Sequence, residues 1–301
     1  MGRSLRGSDS GGTCMVNSVS AESRRTTQGN STTDAFLEWF STYAQGFKDD
    51  DAEVRRNIIL KEEHTHRVVA EILDLGRELG LSSADADIAR AIALFHDVGR
   101  FEQYARYRTF VDRYSENHAE LGVNVLREHG VLDGLDVALK ELILRAISYH
   151  NRPWLPVDEE KRCLFFSRLL RDADKLDIWK ILIDYYHDDR ETRNDAIGLG
   201  LPESDDLSVE VYNDLVNQRI VDSANVRNLN DLKLLQLGWV YDINFFPTYR
   251  KILERDYVGK IQQCLPSSDR VSELCAAARR CVSSGTDGVR TNLPEQPGVG
   301  S

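Results

Sequence analysis

The chain has 301 residues, 41% of them hydrophobic, with 20 Gly and 7 Pro, a composition that supports a folded core and excludes collagen-like or wholly disordered classes. Acidic residues outnumber basic ones, 49 to 38, for a formal net charge of −11. No basic block exceeds pairs such as Arg24-Arg25 and Arg279-Arg280, so no nucleic-acid duplex is expected as a partner. Neither a signal-peptide core nor a long apolar run occurs, so no membrane association and a cytoplasmic location are expected.

Residues 1–32 are rich in Ser, Gly, Thr and Arg and read as a disordered tail, and residues 283–301 repeat that composition. Helical periodicity fills the chain between them. It runs through Phe36/Trp39/Phe40/Tyr43/Phe47, Ile58 to Leu79, Ile88/Ile92/Phe95, Leu121/Val125, Leu139/Leu142/Ala146 and Leu164 to Leu182, while no strand-like alternation persists. Gly80 and Gly130 stop the second and fourth helices, Ser82, Ser83 and Asp85 can cap the third, and Gly99 lies just past its end. A polar break at 200–207 precedes a C-terminal block with Trp239, Tyr241, Phe245, Phe246 and Tyr249, which reads as more helix on the same body. The expected division is a main helical domain at 33–200, a helical extension at 201–265, and a short helix followed by a tail at 266–301.

The five cysteines, Cys14, Cys163, Cys264, Cys275 and Cys281, are scattered and form no C-x-x-C pair. This argues against a disulfide framework and a thiolate zinc site, leaving His and carboxylate as metal ligands. On the second helix His64 lines up with Val68, Ile72, Leu75 and Leu79 and points inward, whereas His66 shares the opposite, polar face with Ala70 and Asp74. His96 continues the Ile88/Ile92 stripe with Asp97 beside it. His118 shares a face with Leu121, Gly122 and Val125, where Gly122 permits close backbone approach. His150 ends the stripe of Leu139, Leu142 and Ala146, and Asp174 lies on the face of Leu170, Ile178 and Ile181. Five helices thus turn potential ligands toward one interior, where buried carboxylates at 97 and 174 require a cation. His66, His129 and His187 read as surface residues, Asp177 as a residue supporting a ligand, and Asp172 as exposed.

HTHRVVAEILDL resembles the opening helix of the HD-domain superfamily, LFHDVGR its adjacent His-Asp signature, and RDADKLD its closing Asp. ENHAELG and ISYHN resemble the segments that carry two further His in members binding two metals, including the HD-GYP branch. The likeness spans about residues 55–180 and implies an all-α HD-domain bundle with the C-terminal helices packed on it. It implies one metal held by His64, His96, Asp97 and Asp174 and a second held by Asp97, His118 and His150. Arg100 stands where HD-GYP proteins carry Lys and no Gly-Tyr-Pro occurs, so hydrolysis of cyclic di-GMP is not implied.

The implied function is hydrolysis of a phosphoester of a small metabolite or nucleotide by a dinuclear site. Two divalent transition metals (Mn, Fe, Co, Ni or Zn) about 3.5 to 4 Å apart would share Asp97 and a bridging hydroxide. Asp97 and Arg100 are the catalytic candidates, Arg100 through a phosphate contact or, alternatively, a surface ion pair with Glu102. Residues 101–114, rich in Arg and aromatics, read as a connecting loop that either closes over a substrate or packs down. Lys175 and Arg152 are weaker phosphate contacts. A di-iron oxygenase using the same ligands and a noncatalytic nucleotide-sensing module are the alternative functions. Oligomeric state and the role of the C-terminal helices are not readable from the sequence.

Overall fold

A computed structural model describes residues 21–48, 50–187 and 193–286. Among these residues the chain forms twelve α-helices, three short 3-10 turns and no strand. The order is α1 (Ala21–Gln45), α2 (Ala52–Glu78), α3 (Ser83–Phe95), α4 (Gly99–Tyr107), α5 (His118–Glu128), α6 (Val137–Tyr149), α7 (Lys161–His187), α8 (Val209–Val216), α9 (Leu229–Gly238), α10 (Phe246–Glu254), α11 (Tyr257–Gln263) and α12 (Asp269–Thr286). The fold is all-α, as the periodicity implies.

Local chemistry sets the helix boundaries. Asp51 accepts from the amides of Glu53 and Val54 at the start of α2, Ser82 from Asp85 at α3, Asn117 from Ala119 and Glu120 at α5, and Asp136 from Leu139 at α6. Gly80 and Gly130 follow α2 and α5 with φ of +74° and +61°, a conformation open to glycine at little cost. The sequence reading is corrected at three boundaries. α1 begins at Ala21, inside the expected tail, and residues 1–20 with Cys14 lie outside the described residues, as do 287–301. α12 runs to Thr286. Gly99 does not release the chain into a loop but opens α4, whose buried Phe101 and Tyr104 give residues 99–107 an apolar helical face.

α2 forms the spine, packed against α3 and α7. Its inward stripe of Val54, Ile58, Val68, Ile72 and Leu75 is buried among the same apolar core that takes Leu169, Leu170, Ala173 and Leu176 from α7. Burial of each such side chain is worth roughly 1.5–3 kcal/mol, so the spine is rigid where it carries functional groups.

The C-terminal helices join the same body. α10 and α11 pack on α7, and α12 packs on both of them. The indole of Trp179 donates to the Gln236 carbonyl at 3.1 Å and the Tyr257 hydroxyl donates to the Leu176 carbonyl at 3.0 Å. Lys251 and Arg255 of α10 and its C-cap reach Glu71 on α2. No helix among the described residues is long and apolar enough to cross a membrane.

Candidate metal centre

The six expected ligands come from five helices and converge. His64 lies in mid-α2. His96 and Asp97 occupy the turn between α3 and α4. His118 is the first residue of α5, His150 directly follows α6, and Asp174 lies in α7. They form two trios, His64/His96/Asp174 and Asp97/His118/His150, each with ligand atoms within 4.8 Å of one another. Asp97 spans both. Its Oδ2 lies 3.5 Å from His64 Nε2 and 3.7 Å from His96 Nε2, and its Oδ1 lies 3.5 Å from His118 Nε2 and 3.8 Å from His150 Nε2.

Backbone geometry brings the trios this close. A Cβ on Gly99 would stand 2.3 Å from the His118 carbonyl oxygen and 2.5 Å from the Gly122 amide nitrogen, so α4 and α5 cross at a distance that only glycine allows. Gly122 plays the part expected of it, with its own Cβ position 3.2 Å from the Gly99 nitrogen. The crossing places Asp97 beside His118.

Each imidazole is oriented through Nδ1. His96 donates to the Ala93 carbonyl and His150 to the Ile147 carbonyl, both at 2.7 Å, using carbonyls of the last helical turn. His64 donates to Asp177 Oδ2 at 2.7 Å, and His118 to Asp112 Oδ2 at 2.8 Å. Asp177 is fixed in turn by Arg67, whose Nε donates at 2.7 Å. With every Nδ1 carrying the proton, all four Nε2 atoms present lone pairs to the shared interior. His64 Nε2 lies 3.4 Å from His96 Nε2, and His118 Nε2 lies 3.0 Å from His150 Nε2.

This arrangement demands positive charge. Asp174 Oδ1 is buried with no hydrogen-bond partner, and Asp97 is 3% exposed. Burial acts to raise the Asp97 pKa, but Lys61 and the other nearby cationic groups outweigh it and hold the carboxylate ionised. Burial, reinforced by Arg100, pushes His118 down to about 3, so its ring is neutral at neutral pH, as a ligand must be. For His64, burial and Lys61 act downward, but the neighbouring carboxylates of Asp174 and Asp177 prevail and raise it. The donor set of four imidazole nitrogens and two carboxylates suits divalent transition metals. The residues present fit such ions.

Several supporting residues differ from the sequence reading. Lys61 was not anticipated. Its ammonium donates to Asp97 Oδ2 at 2.7 Å, and its position one helical turn before His64 is a signal that register alone carries. Asp112 also escaped notice, because it lies in a 3-10 turn without periodicity. Asp172, expected to be exposed, is fully buried and accepts from the backbone amides of Asn244 and Phe245, and burial raises it to about 6. Arg100 makes no ion pair with Glu102, which instead pairs with Arg106. Arg100 Nη1 donates to Gln103, to the Phe110 carbonyl and to Asp112, at 2.8, 2.5 and 3.0 Å.

The stretch 101–114 is packed down along one face, while Tyr107 and Tyr114 are exposed. Phe101, Tyr104 and Phe110 are buried, and the Tyr104 hydroxyl sits between Glu53 and Asn57. His66, His129 and His187 are exposed as expected.

A cavity of about 500 Å³ opens over the centre and is lined by Lys61, Arg100, Arg152, Arg171 and Lys175 as well as the candidate ligands Asp97, His118, His150 and Asp174. Arg171 and Lys175 share the single carboxylate of Asp242, so the lining carries more cationic than anionic groups once the ligands are set aside. Arg152 lies over the Tyr149 ring with its guanidinium carbon 4.9 Å from the centroid.

No curated protein and no solved structure matches the chain. Residues 62–179 match the family model for the HD domain, an interval that contains all six ligands together with Asp112 and Asp177. Over residues 62–179 the chain is therefore similar to the HD domain, the family whose motifs its sequence resembles.

Proposed function

We propose that the protein is a phosphohydrolase that holds two divalent cations per chain and cleaves a phosphoester of a small molecule. The observation that carries this reading is the position of Asp97, each of whose oxygens faces the Nε2 atoms of a different imidazole pair. His64, His96 and Asp174 would hold one ion, His118 and His150 the other, and Asp97 both. Bound there, the ions would supply an activated water and offset charge on the phosphoryl oxygens.

The chain's own residues supply the rest. Asp112 and Asp177, with the carbonyls of Ala93 and Ile147, keep the four rings in one tautomer and one orientation. Lys61 and Arg100 hold Asp97 ionised from either side, with Arg100 Nε 3.5 Å from Oδ1. Because Gln103, Phe110 and Asp112 fix its guanidinium, the Arg100 charge is already in place when negative charge develops on the phosphoryl group. Arg152, Arg171 and Lys175 add positive potential along the cavity wall. A net charge of −11 repels an extended polyanion, which favours a substrate whose charge is confined to one end.

The test is phosphate release from p-nitrophenyl phosphate and bis-p-nitrophenyl phosphate by protein loaded with Mn, Fe, Co, Ni or Zn. Metal-dependent release is expected, and Arg100→Ala should lower kcat more than it raises KM while leaving metal content intact. An activity that requires iron and dioxygen and releases no phosphate would assign the site to oxygenation instead.

A further inference from the structure

A second cavity, of about 470 Å³, adjoins the first and shares Lys61, His118, Ile178 and Trp239 with it. Its lining beyond the first cavity includes an aliphatic wall of Ile181 and Leu182 of α7, Ile197 and Leu201 of the segment after α7, and Val226 and Leu232 before and within α9. The charged members of its lining, Lys61, Arg100, Asp112 and Arg113, come from α2 and from residues 100–113 instead. Of the two amides in the lining, Asn151 is shared with the first cavity and Gln236 is already engaged, its Nε2 donating to the Tyr186 hydroxyl at 3.0 Å. Folding leaves Ile178, Ile181, Ile197, Leu201 and Leu235 only half-buried along this wall. Apolar surface left uncovered inside a cleft is characteristic of a binding site rather than a core.

We infer that the substrate is an amphiphile, with its phosphoryl group at the Asp97 centre and an aliphatic chain in this second cavity. The position of the phosphoryl group rests on the hydrolase reading, but the seat for the chain does not. A nucleobase is disfavoured, because its ring nitrogens and exocyclic groups would lose water against the aliphatic wall without gaining partners there. A sugar or polyol meets the same penalty. An alkyl or isoprenoid chain loses no hydrogen bonds there and covers the aliphatic wall.

The experiment is calorimetric binding of methyl-, butyl- and hexylphosphonate, which cannot be hydrolysed as esters, to the metal-loaded full chain. Affinity should rise roughly fourfold per methylene, the equivalent of about 0.8 kcal/mol, and the heat-capacity change should become more negative with chain length. Ala196, which lines only the second cavity, provides a variant. Ala196→Phe should flatten the dependence on chain length, with thermal melting reporting whether the variant is folded.

Equal affinity for the three phosphonates, or binding of none, would overturn the inference. Turnover of p-nitrophenyl phosphate with no gain from chain length would leave the hydrolase reading standing without this one. A gain from chain length in phosphonate binding, with no hydrolysis of the matching alkyl phosphates, would do the reverse.

Discussion

The two walls of the cleft at the candidate metal centre are built by different rules. The HD-like region supplies every candidate metal ligand, and it does so from helix ends and faces, where His96 and His150 take carbonyls three residues back in their own helices. The segment 194–242 supplies no ligand and closes the cleft through contacts distant in sequence. Asn194 donates to Asn57 at 2.8 Å, Trp179 to the Gln236 carbonyl, and Arg171 and Lys175 to Asp242. One wall fixes chemistry and the other shapes the space beside it. Damage to the first should therefore appear in metal binding, and damage to the second in stability and substrate choice.

Asp242→Asn tests the seam between the two walls and should have the largest effect on stability, about 3 kcal/mol by chemical denaturation, because Arg171 and Lys175 lose their shared carboxylate. Burial acts to raise the Asp242 pKa, but Lys175 and Arg171 overcome it and hold it below its ordinary value. A depressed carboxylate contributes its stability in full above the unfolded-state pKa and loses it as pH falls toward the folded one. The gap between wild type and Asp242→Asn should therefore be widest near neutral pH and narrow below about pH 4. A gap independent of pH would show that shape, not charge, holds the seam.

Gly99→Ala acts within the HD-like region. Its new Cβ would meet backbone atoms of His118 and Gly122, so α4 and α5 must part at a cost of about 2 kcal/mol. Unlike Asp242→Asn, it should also weaken metal binding, because Asp97 moves away from His118. Equal metal affinity in wild type and Gly99→Ala would mean that the crossing does not set the spacing of the trios.

Asp177→Asn should leave the fold largely intact and lower metal affinity by about 10- to 100-fold, through loss of the carboxylate that orients His64. His66→Ala marks the lower limit. That ring is exposed and makes only an edge contact with Phe40, so stability should stay within about 0.5 kcal/mol of wild type and metal content should not change.

The division between the walls also explains what the sequence discloses. Ligands on helix faces follow the 3.6-residue period, so His64 could be separated from His66, and His118 could be linked to the small residue at Gly122. Lys61 obeyed the same register and could have been found by it. Asp112 could not, since it reaches His118 from an aperiodic turn. Asp172 was misjudged because its partners, the amides of Asn244 and Phe245, lie more than seventy residues away. The second cavity was hidden for the same reason. Its aliphatic lining is drawn mainly from α2, α7, α9 and the segments between α7 and α9, and nothing local marks those leucines and isoleucines as cavity wall rather than core.

The most direct test of the two-ion centre is metal stoichiometry by elemental analysis after Mn loading and desalting, for wild type, the His118→Ala/His150→Ala double variant and Asp97→Ala. The expected result is close to two ions per chain in wild type, close to one in the double variant, and loss of both in Asp97→Ala. Two ions retained in all three proteins, or none in wild type, would contradict a centre bridged by Asp97.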